Sequence, residues 1–134
     1  MAIQLSVAAR NARLDAIETV IGGAPTLRIR SGAPPANTAA ARTGTILATI
    51  VLPADWLANA ANGSKAIAGG PWQDASADNA GTAGHFEIDA VGTVHMQGTV
   101  TATGGGGDME LNNTVFAAGQ PFSVTGFTLN EPNG

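Results

Sequence analysis

HFEIDAVGTVHMQGTVTAT, residues 85–103, is the stretch whose reading decides the fold. Phe86, Ile88, Val94 and Met96 fall on one face of an alternating pattern. His85, Glu87, Asp89, His95 and Gln97 fall on the other. A period of two marks half-buried strands, and two such runs around a glycine mark a hairpin. The two alternations keep one phase only across a loop with an odd number of residues. Ala90-Val91-Gly92 therefore reads as a three-residue loop with Gly92 in the left-handed region. That register places Glu87 opposite His95 and Phe86 opposite Met96.

Strand patterns continue on both sides. Residues 26–30 alternate, with Leu27 and Ile29 inward and Arg28 and Arg30 outward. Residues 31–43 form an Ala- and Pro-rich loop. Residues 45–52 are apolar on both faces, as in a central strand or one half-covered by a partner. Pro53 opens a segment, 53–61, that reads as one or two helical turns closed by Gly63. Residues 65–83 show little pattern, with Trp72 their one large anchor. The glycine run 104–107 breaks the sheet, and residues 109–115 and 122–129 follow as strands. In the last of these, Phe122 and Val124 share one phase and Phe127 and Leu129 the other, so a bulge or a change of sheet is expected at Gly126. Upstream of everything, residues 6–21 read as a helix that starts at Ser6 as N-cap and stops at Gly22-Gly23 and Pro25. The expected fold is mainly β. It is an antiparallel sandwich or barrel-like single domain over residues 1–134 with one N-terminal α-helix.

Composition sets a constraint on that fold. Hydrophobic residues make up 44% of the 134, but 26 of them are alanine, and Val, Ile, Leu and Phe together number only 28. This is a thin core, and small thin-cored domains take extra stability from oligomerisation, metals or disulfides. The chain has no cysteine, which removes disulfides, thiolate metal sites and thiol catalysis and leaves self-association as the expected device. The helix carries Val7, Arg10, Leu14, Ile17 and Ile21 on one stripe. These five residues are the expected subunit or capsid interface.

Candidate chemistry is sparse. Net charge is −4, and four of the six basic residues (Arg10, Arg13, Arg28 and Arg30) lie in the first quarter. No basic stripe offers itself to a phosphate backbone, so no nucleic-acid partner is expected. No apolar run is long enough for a membrane span or signal peptide, so no membrane partner is expected and synthesis is assigned to the cytoplasm. His85, Glu87, Asp89 and His95 invite a metal reading, but alternation alone accounts for them as a solvated sheet face, and no metal or cofactor is expected. The run 104–107 lacks the Lys-Ser or Lys-Thr that completes a phosphate loop. No serine sits in a nucleophile elbow, and no carboxylate pair stands out. Trp56 and Trp72 read as core plugs rather than sugar platforms, Trp72 less firmly because glycines flank it.

Several segments carry a resemblance: AIQLSVAARNARLDAIETVIG (2–22), SGAPPAN (31–37), LPADWLANAANG (52–63), GTVTATGGGGDMELNN (98–113) and AGQPFSVTGFTL (118–129). Together they resemble a group of small proteins found in the structural gene modules of tailed bacteriophages and prophages. The resemblance implies a virion component without enzymatic activity. On that basis the chain is expected to be a head decoration, or cement, protein: a homotrimer bound to the major capsid protein on the head surface. The alternatives are a tail or fibre component with a receptor-binding role and a carbohydrate-binding domain that uses Trp72.

Overall fold

The computed structural model describes residues 3–131. It comprises one helix, α1 (Val7–Ile21), and nine strands: β1 (Thr26–Ser31), β2 (Ile46–Val51), β3 (Ser64–Ala66), β4 (Gln73–Asp74), β5 (Gly81–Ala90), β6 (Thr93–Ala102), β7 (Met109–Leu111), β8 (Val115–Phe116) and β9 (Phe122–Asn130). The strands form one sheet in the order β2-β1-β5-β6-β7-β9-β3, with β4 added to β9 and β8 to β5. The path is open, so the barrel reading is replaced by a sandwich-like sheet folded over one core. The sheet is also mixed rather than purely antiparallel, because β7 runs parallel to β6, with Val100 beside Met109. Only residues 103–108 connect these two parallel strands, fewer than such a connection usually needs. The glycine run makes the reversal possible: Gly104 and Gly106 take φ of 85° and 81°.

The hairpin of β5 and β6 forms, but its register differs from the expected one. The turn is two residues, Val91 and Gly92, both at positive φ (52° and 81°), the arrangement whose twist matches paired strands. A two-residue turn puts the two alternations out of phase. A bulge corrects the fault one pair later: Asp89 faces Val94, Ile88 faces Met96, and His95 is the extra residue. Glu87 therefore faces Gln97 rather than His95, and Phe86 faces Gly98 rather than Met96.

Further bulges bring scattered apolar residues into the same core. Between β1 and β2, Ile29 pairs with Ala48 and Arg30 with Ile46. Leu47 is the extra residue, and Leu47 and Ala48 are both buried. The apolar character on both faces of residues 45–52 thus belongs to a bulged edge strand, not a central one. The bulge expected at Gly126 is present. Glu110 pairs with Gly126 and Leu111 with Val124, which leaves Thr125 extra, so Phe122, Val124 and Phe127 are all buried. An aromatic chain crosses the core from Trp56 to Trp72 (6.0 Å), Phe127 (5.5 Å) and Phe86 (5.5 Å). Residues 53–61 form no helix. Trp56 turns inward, its Nε1–H donating to Gly22 O, and Leu57 bridges to Ile67. The expected single strand 109–115 is split by Asn112 and Asn113. Asn112 bonds to Ser123 and Asn113 to Val115, the side-chain habit that favours turns.

Helix α1 begins as expected, with Ser6 Oγ accepting from Ala9 N, and ends as the Gly22 N–H bonds Glu18 O. Polar side chains hold it to the sheet. Asn11 Oδ1 accepts from Gly63 N, Arg10 Nη1 donates to Glu131 O, and Asp15 Oδ1 accepts from Ala60 N. At the centre is Lys65 on β3, 1% exposed, with Nζ 2.6 Å from Asp15 and 2.8 Å from Glu18. A third bond goes to Ala58 O.

Two outcomes follow from this geometry. Val91 is fully exposed at a positive φ that β-branched residues disfavour. Val91→Asn should therefore stabilise the protein by about 1 kcal/mol, read as a rise of about 5 °C in melting temperature. The second concerns pH. The Lys65 hydrogen bond, then the Ala60 N–H, hold the Asp15 carboxyl below its ordinary value. Burial opposes the Lys65 charge, but the Asp15 and Glu18 bonds outweigh it and raise its pKa. The Asp15 contribution is complete above about pH 4 and is lost as pH falls through the lower folded value. The Lys65 contribution is complete below the ordinary lysine value and is lost as pH rises through the raised folded one. Chemical denaturation between pH 6 and pH 2 should show a smaller acid loss for Asp15→Asn than for the parent chain.

Candidate interaction surface

The polar face of the hairpin is where sequence patterning placed its candidate ligands, and the structure covers half of it. The loop between β1 and β2 folds back over the sheet. At Gly84 the contact is so close that a Cβ would stand 2.2 Å from Gly32 O. His85 is fully buried, and its Nδ1 donates to Gly32 O at 2.8 Å. Glu87 is 1% exposed between two guanidiniums, with Oε1 2.9 Å from Arg30 Nε and Oε2 3.1 Å from Arg42 Nη1. Arg42 also donates to Gln97 Oε1 and to the carbonyls of Asn37 and Ala40, and Gln97 Nε2 donates to Pro35 O. The expectation of a solvated face is corrected for His85 and Glu87. They form the floor under a loop that one carboxylate and two arginines hold in place. Asp89 keeps a loose ion pair with Arg28 at 3.9 Å. His95 is exposed on its bulge. Among the described residues, no three His, Cys, Asp or Glu side chains converge as metal ligands.

The other candidate groups are also engaged in local structure. Glu110 Oε2 accepts the N–H groups of Gly104 and Gly106, and Asp108 Oδ2 accepts the N–H and hydroxyl of Thr99. The glycine-rich loop thus directs its amides at the chain's own carboxylate. Trp56 and Trp72 are both buried, at 0% and 1% exposed, so neither presents a face to a sugar.

The five-residue stripe of α1 divides. Leu14 and Ile21 are buried within the chain itself and keep little area to give a neighbour. Arg10 is half-buried at Glu131, and its Nε has no partner among the described residues. Val7 and Ile17 keep exposed surface. Ile17 continues into a shallow depression of about 280 Å³ with Arg13, Ala16, Val20, Ile21 and His95. Val20, 71% exposed, is the most prominent apolar side chain there. Val20 is not one of the five stripe residues, although it stands three residues after Ile17 on the same side of the helix. Val51 at 70% and Val115 at 63% are exposed elsewhere. No helix among the described residues is long and apolar enough to cross a membrane.

Comparison with known proteins returns no matching family model, no matching curated protein and no matching solved structure.

The Glu87 clamp yields a direct test. Glu87→Ala leaves Arg30 and Arg42 facing each other beneath the loop. It should cost about 3 kcal/mol in denaturant unfolding, the range for breaking one side of a buried ion pair. In hydrogen exchange the amides of residues 32–43 should lose protection before those of β5 do.

Proposed function

We propose that this chain is a non-enzymatic structural protein of a tailed-phage virion, a decoration protein that binds the major capsid protein on the outer surface of the head as a homotrimer. The observation that carries this reading is how the side chains are distributed. These carboxylates and this imidazole serve the fold: Glu87 and His85 hold a loop, Asp15 and Glu18 hold Lys65, and Glu110 holds the glycine turn. The apolar side chains of Val20, Val51 and Val115 stand exposed instead. Each such valine buried at a contact contributes about 1.5 kcal/mol. A trimer repeats its contact three times, so modest contacts add through multivalency. A net charge of −4 suits an outward position better than one against packaged nucleic acid. The sequence resemblance to phage structural modules supplies the biological setting.

The test is to locate the protein in purified particles and to perturb Val20. Val20→Asp changes an exposed side chain, so the isolated protein should stay within about 0.5 kcal/mol of parental stability. Occupancy on heads should fall at least about tenfold in apparent affinity. Particles that lack the protein, or hold it only at the tail tip, would overturn the reading.

A further inference from the structure

The sheet has a place for a strand that this chain does not fill. β7 lies between β6 and β9 but is only three residues long, pairing with Val100–Ala102 on one side and with part of β9 on the other. Before Met109 the chain turns away, while β6 and β9 both extend past that point. The space between them is a groove of about 620 Å³, bounded by Met96 and Gln97 on β6, Thr128 and Asn130 on β9, and Asp108 at the β7 end. Strands flanking a common neighbour stand two strand spacings apart, so the groove is one strand wide.

Its walls are built to pair. Thr99 N–H points away from β5, since it bonds Asp108 Oδ2. By strand alternation the main-chain N–H and C=O of Gln97 point the same way, into the groove. On the opposite wall, Glu131 N–H bonds Gly63 O on the β3 side. Alternation therefore turns the main chain of Thr128 and Asn130 toward the groove. Phe86, Met96, Phe127 and Leu129 give it an apolar lining. Two facing strand edges above apolar side chains are a template for an added strand.

We propose that the occupant is the N-terminal arm, residues 3–6, of a second copy of this chain, deepening the self-association in the reading above. The arm has the required chemistry. Ile3 and Leu5 share one phase, Gln4 and Ser6 the other, and Ile3 is 79% exposed. Ser6 is already extended, with φ −61° and ψ 160°. Four residues span about 13 Å as a strand, enough to run along Thr128–Asn130, the three residues of β9 beyond its pairing with β7. The groove is acidic at Asp108 and Glu110, and the chain carries no acidic residue before Asp15. The Arg10 to Glu131 bond places the root of each arm at the end of β9, near the mouth of its own groove. An arm passed from copy to copy makes a head-to-tail contact, which closes into a ring such as a trimer.

The chain has no cysteine, so engineered thiols report cleanly. Gln4→Cys with Thr128→Cys, treated with a short bismaleimide, should give interchain products ending at one closed oligomer, and neither single variant should do so. Ile3→Asp with Leu5→Asp should reduce the mass seen by light scattering to the monomer and remove hydrogen-exchange protection from the Gln97, Thr128 and Asn130 amides, while the variant still unfolds in one cooperative transition that no longer depends on protein concentration. An oligomer that survives the arm substitutions and gives no interchain link would overturn arm exchange and leave self-association standing. A link formed only within one chain would show the arm filling its own groove, against the proposal. A parent chain that is monomeric at millimolar concentration would overturn both arm exchange and the homotrimer.

Discussion

Most large apolar side chains of the strands have to reach one core, and strict alternation does not allow it. The whole chain has 28 Val, Ile, Leu and Phe residues, and with Val51 and Val115 already at the surface the interior has few large side chains to spare. Bulges resolve the conflict. The extra residues at Leu47, His95 and Thr125 each shift the phase of a strand once, so that residues on both sides of the shift point inward. The aromatic chain from Trp56 to Phe86 depends on the last of these, because Phe127 lies beyond Thr125 and joins Trp72 to Phe86.

Where apolar area runs short, buried charge sets position. Lys65 fixes the helix, and Glu87 fixes the loop between β1 and β2. Neither arrangement needs to be strongly stabilising, since removing ions from water offsets much of their attraction. Their value lies in direction. A misplaced helix would leave the Lys65 ammonium buried without a carboxylate, and a lifted loop would take Arg42 from Glu87 and leave it Arg30 alone. The pieces of this protein that apolar packing holds least are thus placed by groups that tolerate few alternatives.

Legibility in the sequence follows the range of each interaction. The helix could be read because its cap and stop are local: Ser6 bonds a backbone three residues on, and Gly22 closes the final turn. The arms of the hairpin, the Gly126 irregularity and the inward tryptophans could be read for the same reason. The short strands β3 and β4 could not, because their partners lie on β9, as with Ser64 beside Asn130. The burial of His85 and Glu87 was hidden as well. Alternation says which face a residue takes but not whether a distant loop returns to cover it. Val91-Gly92 misled through length: the phase argument required an odd loop, whereas the chain uses an even one and an extra residue. Of the interface stripe, Leu14 and Ile21 went to the chain's own interior, since helical spacing marks an apolar face without naming what it meets.

The position of β9 has a consequence for biosynthesis. This one strand pairs with β3, β4 and β7, whereas β5 and β6, further along the sheet, are joined to each other by a turn of two residues. During translation the hairpin can zip as soon as it emerges, but β3 and β4 have nothing to pair with until β9 has left the exit tunnel. Trp72 and Phe86 likewise wait for Phe127. A nascent chain therefore carries half a sheet and exposed tryptophans until its final strand arrives, the interval in which a general chaperone would meet it.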